Sequence, residues 1–414
     1  MLKAGALYYA MVIAVLIGII TGSLVLYNYY QLQETAYYNT RKRLIDNANS
    51  GIQLLMDRNF LIKTSNEETI DLYGNAVDTV VLKKMQWGIY SVASCTSFQG
   101  KLSHTKECIL GTTRFFEDNN LCLYLADLNR PLAICGRNVI TGNAYIPKAG
   151  IKQTYIEGLN FTGIKPINGI QKQSVGKLPV INSEVSNRML SLFSGLQVSD
   201  SIINFSELIP FKTNRLFQEN TICIYSAEDI ILTNEMLSGN IKVFSKKSIT
   251  VEKNNFLSDI LLVAPSIVIR KGFSGNLQLV AHDSIVIEDN VSLSYPSSLF
   301  LAQSIGNGRI YIGEDCTITG EIWLLDKSSE KRSLVTISKN TTVEGIVYGS
   351  GYIMHQGILN GSLLCNKFYL KTNAAVYENQ LLNSITDVTK LNNRFLFSEL
   401  SPNPGKSAII KWLN

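Results

Sequence analysis

Val263-Ala264-Pro265-Ser266-Ile267-Val268-Ile269 and, a little further on, Val280-Ala281-His282-Asp283-Ser284-Ile285-Val286-Ile287 are two versions of one phrase. Each has a small residue, a polar turn, a Ser or Asp and then Ile, with another apolar residue two places later. Ser226-Ala227-Glu228-Asp229-Ile230-Ile231-Leu232 and Phe244-Ser245-Lys246-Lys247-Ser248-Ile249-Thr250-Val251 repeat it, and Leu301-Ala302-Gln303-Ser304-Ile305 repeats all but its end. The leading isoleucines stand at 230, 249, 267, 285 and 305, a period of 18 to 20. Short strands joined by tight turns use about 20 residues per coil. One coil cannot bury its own inward side chains, whereas stacked coils bury a continuous column. In Ile285-Val286-Ile287 the alternation puts 285 and 287 on one face. The expected fold is mainly β, a right-handed parallel β-helix over residues 216–370, with an antiparallel sandwich as the alternative.

Outward from this core the phrase loosens. Arg309-Ile310-Tyr311-Ile312-Gly313 and Leu334-Val335-Thr336-Ile337-Ser338 read as further rungs. Ile318-Thr319-Gly320-Glu321-Ile322, Val343-Glu344-Gly345-Ile346-Val347 and Leu359-Asn360-Gly361-Ser362-Leu363 share an apolar-x-Gly-x-apolar form. This stretch resembles the bactofilin-like polymer-forming β-helices. Asp326 to Arg332 reads as a loop between coils. The pattern ends after Lys371, and residues 371–414, with Phe395, Leu396, Phe397 and Trp412, read as a cap or a mobile tail.

Upstream, residues 63–215 read as an irregular β-rich region and a possible start of the solenoid. Val80-Val81-Leu82, Trp87-Gly88-Ile89-Tyr90, Leu121 to Leu125 and Leu132 to Cys135 are short strand candidates. Glycines at 142, 150, 158, 163, 169 and 176 suit the turns of irregular coils. A short helix is expected around Ser183 to Leu196.

The first thirty-odd residues have a different character. No charged side chain occurs from Ala4 to Gln33, and Met11 to Leu26 is almost wholly aliphatic. A bilayer core needs about 20 such residues in a helix. The run is too long for a cleaved secretory signal, and it leaves through Tyr27, Tyr29 and Tyr30, as an interfacial belt does. Leu44, Ala48, Gly51 and Leu55, with Ile45 and Ile52, make one apolar stripe beyond it. Residues 1–62 are therefore read as a membrane anchor and amphipathic stalk, the helix running from Ala6 to Ile62, about 85 Å at ~1.5 Å per residue.

The basic start, Gly5, the apolar helix and the phrase Asn47-Ala48-Asn49-Ser50-Gly51-Ile52 resemble the type IV pilin-like proteins, in the form of minor pilins and the tip pseudopilin of type II secretion. The resemblance implies cleavage between Gly5 and Ala6 on the cytoplasmic face, with Lys3 as the basic lead. Two departures narrow it: Ala10 stands where major pilins carry Glu, and Ala6 where Phe or Met is usual. The resemblance implies an extracytoplasmic C-terminal domain at the inner membrane. A count of Arg41, Lys42 and Arg43 against Lys3 points the other way.

Composition excludes more than it selects. Net charge is +5, from 38 basic and 33 acidic residues, too small an excess for a nucleic-acid surface. Of the seven cysteines, Cys95, Cys108, Cys122 and Cys135 fall in one region. They allow two disulfides with open connectivity, or serve as small buried hydrophobes. No CxxC or His–Cys spacing suits zinc, and no cofactor is implied. Glu228, Asp229, Asp283, Glu288, Asp289, Glu314 and Asp315 are the acidic candidates for glycan hydrolysis, and each also fits an inter-strand turn. His282 and His355 stand without a nucleophile pattern. No catalytic residue is assigned. The expected partners are the lipid bilayer, other pilin-like subunits and envelope glycan. The leading expectation is an anchored structural or adhesive protein. The rivals are a tethered glycan-binding or polysaccharide-degrading β-helix and a cytoplasm-facing cytoskeletal polymer.

Overall fold

The computed structural model describes residues 4–57, 67–74, 77–194, 200–205, 212–303, 307–328 and 332–413. It is mainly β, with a parallel β-solenoid of about ten turns and one long N-terminal helix. The solenoid is three-sided. Its register repeats the sequence phrase: Ile230 pairs with Ile249, Ile249 with Ile267, Ile267 with Ile285 and Ile285 with Ile310. Val335 and Ile353 continue the column, and every member is fully buried. On a second face Ile224, Val243, Leu262, Leu279, Leu299, Ile322, Val347 and Leu363 stack in the same way. The partner of Ile285 is thus Ile310 and not Ile305, which lies outside the described residues. The coil that follows Ile285 is longer than its predecessor mainly between Leu301 and Arg309, the positions paired with Ala281 and Ser284.

Two kinds of corner occur along the solenoid. Asn234, Gly272, Asn290, Asp315 and Asn340 have positive φ at the turns, the backbone region that Gly and Asn tolerate. Gly320, Gly345 and Gly361 are paired rung to rung at φ 157°, 137° and 151°. A Cβ on Gly345 would overlap the carbonyl oxygen of Gly320, and one on Gly361 would overlap that of Gly345. The apolar-x-Gly-x-apolar form is therefore the trace of a corner at which backbone lies on backbone.

Residues 63–215 divide between two structures. Strands β1 (Glu67–Asp71), β2 (Thr79–Trp87), β3 (Tyr90–Gln99) and β4 (Leu102–Thr112) form an antiparallel sheet. Trp87 to Tyr90 is the β2–β3 hairpin rather than a strand, because Gly88 turns at φ 59°. Leu121–Leu125 and Asn143–Ile146 are coils of the solenoid, but they do not begin it. Leu123 pairs with Leu363, Ile134 with Leu381 and Val139 with Ile385. The chain's first coils thus stack on its last ones. The chain then returns along the flank through α2 (Ser183–Ser191) and restarts the solenoid at Ser201–Asn204, the opposite end. The coil pattern also extends beyond Lys371, through Gln380–Leu382 and Ile385–Asp387. The tail is tied down: Ser407–Trp412 is the fifth strand of the antiparallel sheet, paired with β4.

Helix α1 (Ala4–Met56) has two halves. Its side chains are exposed from Gly5 through Asn39, and Leu44, Ala48, Gly51, Ile52 and Leu55 are buried against the sheet. The expected stripe is the buried one; residues 58–62 of the expected helix lie outside the described residues. Gly51 allows the close approach, since a Cβ there would overlap the Cys95 sulfur. Asp78, 2% exposed, accepts hydrogen bonds from Asn47 Nδ2 at 2.7 Å and Arg43 Nε at 2.6 Å. The sheet alternates: Val80, Leu82, Ala93, Cys95 and Cys108 meet the helix, while Trp87, Ile89, Tyr90, Val92 and Ile109 meet the solenoid.

Gly345→Ala is expected to cost at least about 3 kcal/mol, because left-handed strain and backbone overlap add at one site. Urea unfolding of the detergent-solubilised chain measures it, and a loss below about 1 kcal/mol would contradict the corner's role.

Candidate functional site

The feature with the clearest physical role is the exposed half of α1. One 18-residue window has mean hydropathy 2.4, and none of it is covered. Tyr8 and Tyr9 stand near one end and Tyr27, Tyr29 and Tyr30 at the other, each 60–69% exposed. At ~1.5 Å per residue the two groups are about 30 Å apart, which matches the hydrocarbon core of a bilayer. Their amphipathic rings suit the two interfaces. Beyond Tyr30 a further exposed stretch, through Leu32, Tyr37 and Tyr38, separates the span from the sheet. Lys3 lies outside the described residues, and Gly5 and Ala6 sit in the first exposed turns of the helix.

The joint between sheet and solenoid is the second candidate. The outward column Phe244, Val263, Val280, Phe300, Trp323, Tyr348 and Leu364 is buried beneath the sheet and the C-terminal segment. Three polar devices cross it. Gln278 accepts from Ile89 N–H at 3.0 Å and donates to the Trp87 carbonyl at 2.9 Å, bracketing the hairpin. Lys411 Nζ meets Asp259 Oδ2 at 2.7 Å. Glu321, 0% exposed, accepts from Ser398 N–H and Ser398 Oγ at 2.6 Å each and from Trp323 Nε1 at 2.8 Å. Burial pushes the Glu321 carboxyl from its ordinary 4.5 up to about 7, and its hydrogen bonds oppose the rise. Tyr90, fully buried in the same joint, is held well above its ordinary value, by burial first and then by Glu321.

Beside this joint lies an open cleft of about 370 Å³ lined by Lys83, Gln86, Trp87, Arg188, Asp200 and Lys242. Lys242 Nζ and Asp200 Oδ2 are 2.5 Å apart with side chains 6% and 3% exposed. Such a pair loses hydration on both sides and is costly to break singly. It fixes the first rung, which begins at Ser201, to the outward face of a later one.

The acidic residues singled out in the sequence lie apart from this cleft. Glu288 pairs with Arg270 at 2.6 Å and accepts from Lys271 N–H at 2.9 Å. Asp289 accepts from Glu314 N–H at 2.9 Å, Asp229 from Ser248 Oγ at 2.6 Å, and Glu228 pairs with Lys247. Asp283 lies 2.9 Å from His282, and Asp315 occupies a left-handed corner. Apart from Asp315, each of these carboxylates binds its own or an adjacent turn. His355 continues the interior column below Ile337; burial lowers its imidazole to about 4, while Nε2 lies 3.0 Å from the Ile385 carbonyl.

All seven cysteines are buried free thiols. Cys95 and Cys108 pack under the helix, Cys122 lies inside the solenoid and Cys135 sits beside Ile156 and Leu382. Burial pushes the thiols of Cys95, Cys108 and Cys122 up to about 12. They act here as small hydrophobes. Sequence reasoning missed Glu321, Gln278 and Asp259. A polar residue within an otherwise apolar strand was the available signal, but the strand alone does not say that its outer face is covered. Among protein-family models, curated proteins and solved structures, none matches this chain.

Because the folded-state value of Glu321 is raised, its contribution to stability is fully present below about 4.5 and is lost as pH rises through about 7. Melting temperature is therefore expected to fall across that window in the native chain and to fall less in Glu321→Gln. Parallel slopes in the two proteins would contradict the assignment.

Proposed function

We propose that this is a single-pass, membrane-anchored envelope protein whose folded part lies outside the cytoplasm, with a structural or adhesive role as a minor pilin-like component of a surface filament or secretion apparatus. The observation that carries the reading is the division of α1. One continuous helix presents a bare apolar half of bilayer length and then a half clamped to a rigid head. A flexible linker would let the head drift, whereas this helix transmits position and force from membrane to solenoid. The small residues Ala48 and Gly51, which carry part of the resemblance to minor pilins, are the ones that let the helix lie close to the sheet.

The cytoplasmic polymer is the weaker reading. Filament growth by end-to-end solenoid stacking needs accessible, compatible edge strands. Three of the outermost strands are short and basic: Ile151–Gln153 and Gln171–Gln173 carry Lys152 and Lys172, and Lys212–Arg215 carries a basic residue at each end, whereas Ser201–Asn204 is short and uncharged. Short strands bearing lysine are the usual guard against edge pairing. Arg43, one of the charges that argues for a cytoplasmic head, is also engaged in docking the helix through Asp78.

Protease added to intact spheroplasts is expected to remove the head and leave a membrane-embedded fragment; full protection would overturn the extracytoplasmic placement. N-terminal mass spectrometry separates the finer claim. The native chain is expected to begin at Ala6 and Gly5→Val to remain uncut. An identical, uncut start in both would remove the pilin-like reading and leave the anchor.

A further inference from the structure

Along one long face of the solenoid the outward side chains are half-buried or exposed, and they change character along the axis. The outward positions of Ser248, Ser266, Ser284, Arg309, Leu334, Tyr352 and Lys367 are paired rung to rung in a single row. The row starts as hydroxyls, with Ser266 Oγ and Ser284 Oγ 2.7 Å apart, and ends as a cluster of cations and aromatic rings. The Arg309 guanidinium lies 4.8 Å from the centre of the Tyr311 ring, and Lys367 Nζ lies 5.4 Å from that of Tyr352. Tyr352 and Tyr369 meet edge to face at 5.8 Å. Between them is a shallow cleft of about 410 Å³, lined also by Arg332 and Leu334. Glu378 holds the Tyr352 hydroxyl at 3.0 Å and Lys367 at 3.6 Å, which fixes both side chains in place. Among the described residues no carboxylate pairs with Arg309.

Rungs are about 4.8 Å apart, so Arg309 to Lys367 spans about 14 Å along the axis. A ligand matching this strip is extended, carries hydroxyls, offers flat apolar faces to the tyrosine rings and bears negative charge at wide intervals. We propose that this flank binds an acidic polysaccharide, its carboxylates on Arg309 and Lys367 and a sugar face on Tyr352. The proposal names a ligand class for the adhesive role above and rests on that reading only for the ligand's location. A nucleic acid fits less well: its charges are closely spaced, and the net charge of +5 on 414 residues gives little excess to neutralise them.

The test uses the full chain in detergent micelles, titrated with alginate and with neutral dextran of matched length. Alginate is expected to bind and dextran not. The double change Arg309→Ala, Lys367→Ala should weaken alginate binding at least about tenfold, equivalent to about 1.4 kcal/mol. Tyr352→Ala should weaken it several-fold, and raising salt from about 50 to about 500 mM should weaken the native chain. Lys101→Ala, on the β3–β4 hairpin, should leave it unchanged. If the alanine variants melt early, Arg309→Gln and Tyr352→Leu replace them. Absence of alginate binding, unchanged affinity in the folded variants, or equal binding of a single-stranded oligonucleotide would each overturn the proposal. The protease and N-terminal mass results do not involve this flank, so the two readings fail separately.

Discussion

The structure depends on register between successive coils. In a parallel stack each strand satisfies the backbone of the next, and a side chain that points inward must do so on every rung. A slip of one residue would turn Ile285 and Ile287 outward and Val286 inward. The isoleucine columns make that slip expensive, and at the rungs of Gly320, Gly345 and Gly361 it would set a Cβ against a backbone carbonyl. Length differences between coils are therefore absorbed in the connections between faces, as between Leu301 and Arg309 and between Asp326 and Leu334, while the columns remain aligned.

A solenoid built this way normally keeps a polar exterior, but here one exterior face is apolar. Phe244, Phe300, Trp323 and Tyr348 would be exposed if the solenoid stood alone. The Trp87 face of the antiparallel sheet, the segment around Pro179 and the C-terminal segment cover them between them, and the sheet's other face receives α1. The sheet is thus a middle layer, and helix and solenoid never need to meet. Buried polar contacts fix how the layers are set: Gln278 grips the hairpin, Glu321 grips the C-terminal segment and Asp78 grips the helix. These groups add direction to an interface whose apolar part has none.

The columns and the apolar helix were legible because each is a local, periodic signal. Ile230 to Ile285 could be aligned by eye, as could Leu44 to Leu55. Ile305 misled because its phrase resembles the others while its coil is longer, and only three-dimensional pairing identifies Ile310 as the next rung. The Gly-rich coils after Leu121 were legible as coils but not in position. Leu123 contains nothing that points to Leu363, since any apolar residue would fill that interior site. The role of Glu321 was hidden for a related reason: an acidic residue on an outward strand position reads as solvated until a second layer is known to cover it.

The stacking of Leu123 on Leu363 and Val139 on Ile385 also has a consequence in time. Synthesis delivers residues 121–173 long before residues 358–387, so these coils emerge without the surface on which they rest. Their inward apolar side chains and strand edges must wait through most of the chain's production. Contacts so distant in sequence slow folding and leave intermediates open to aggregation. The part of the solenoid made first is the part completed last, and the cell has to shelter it in the interval.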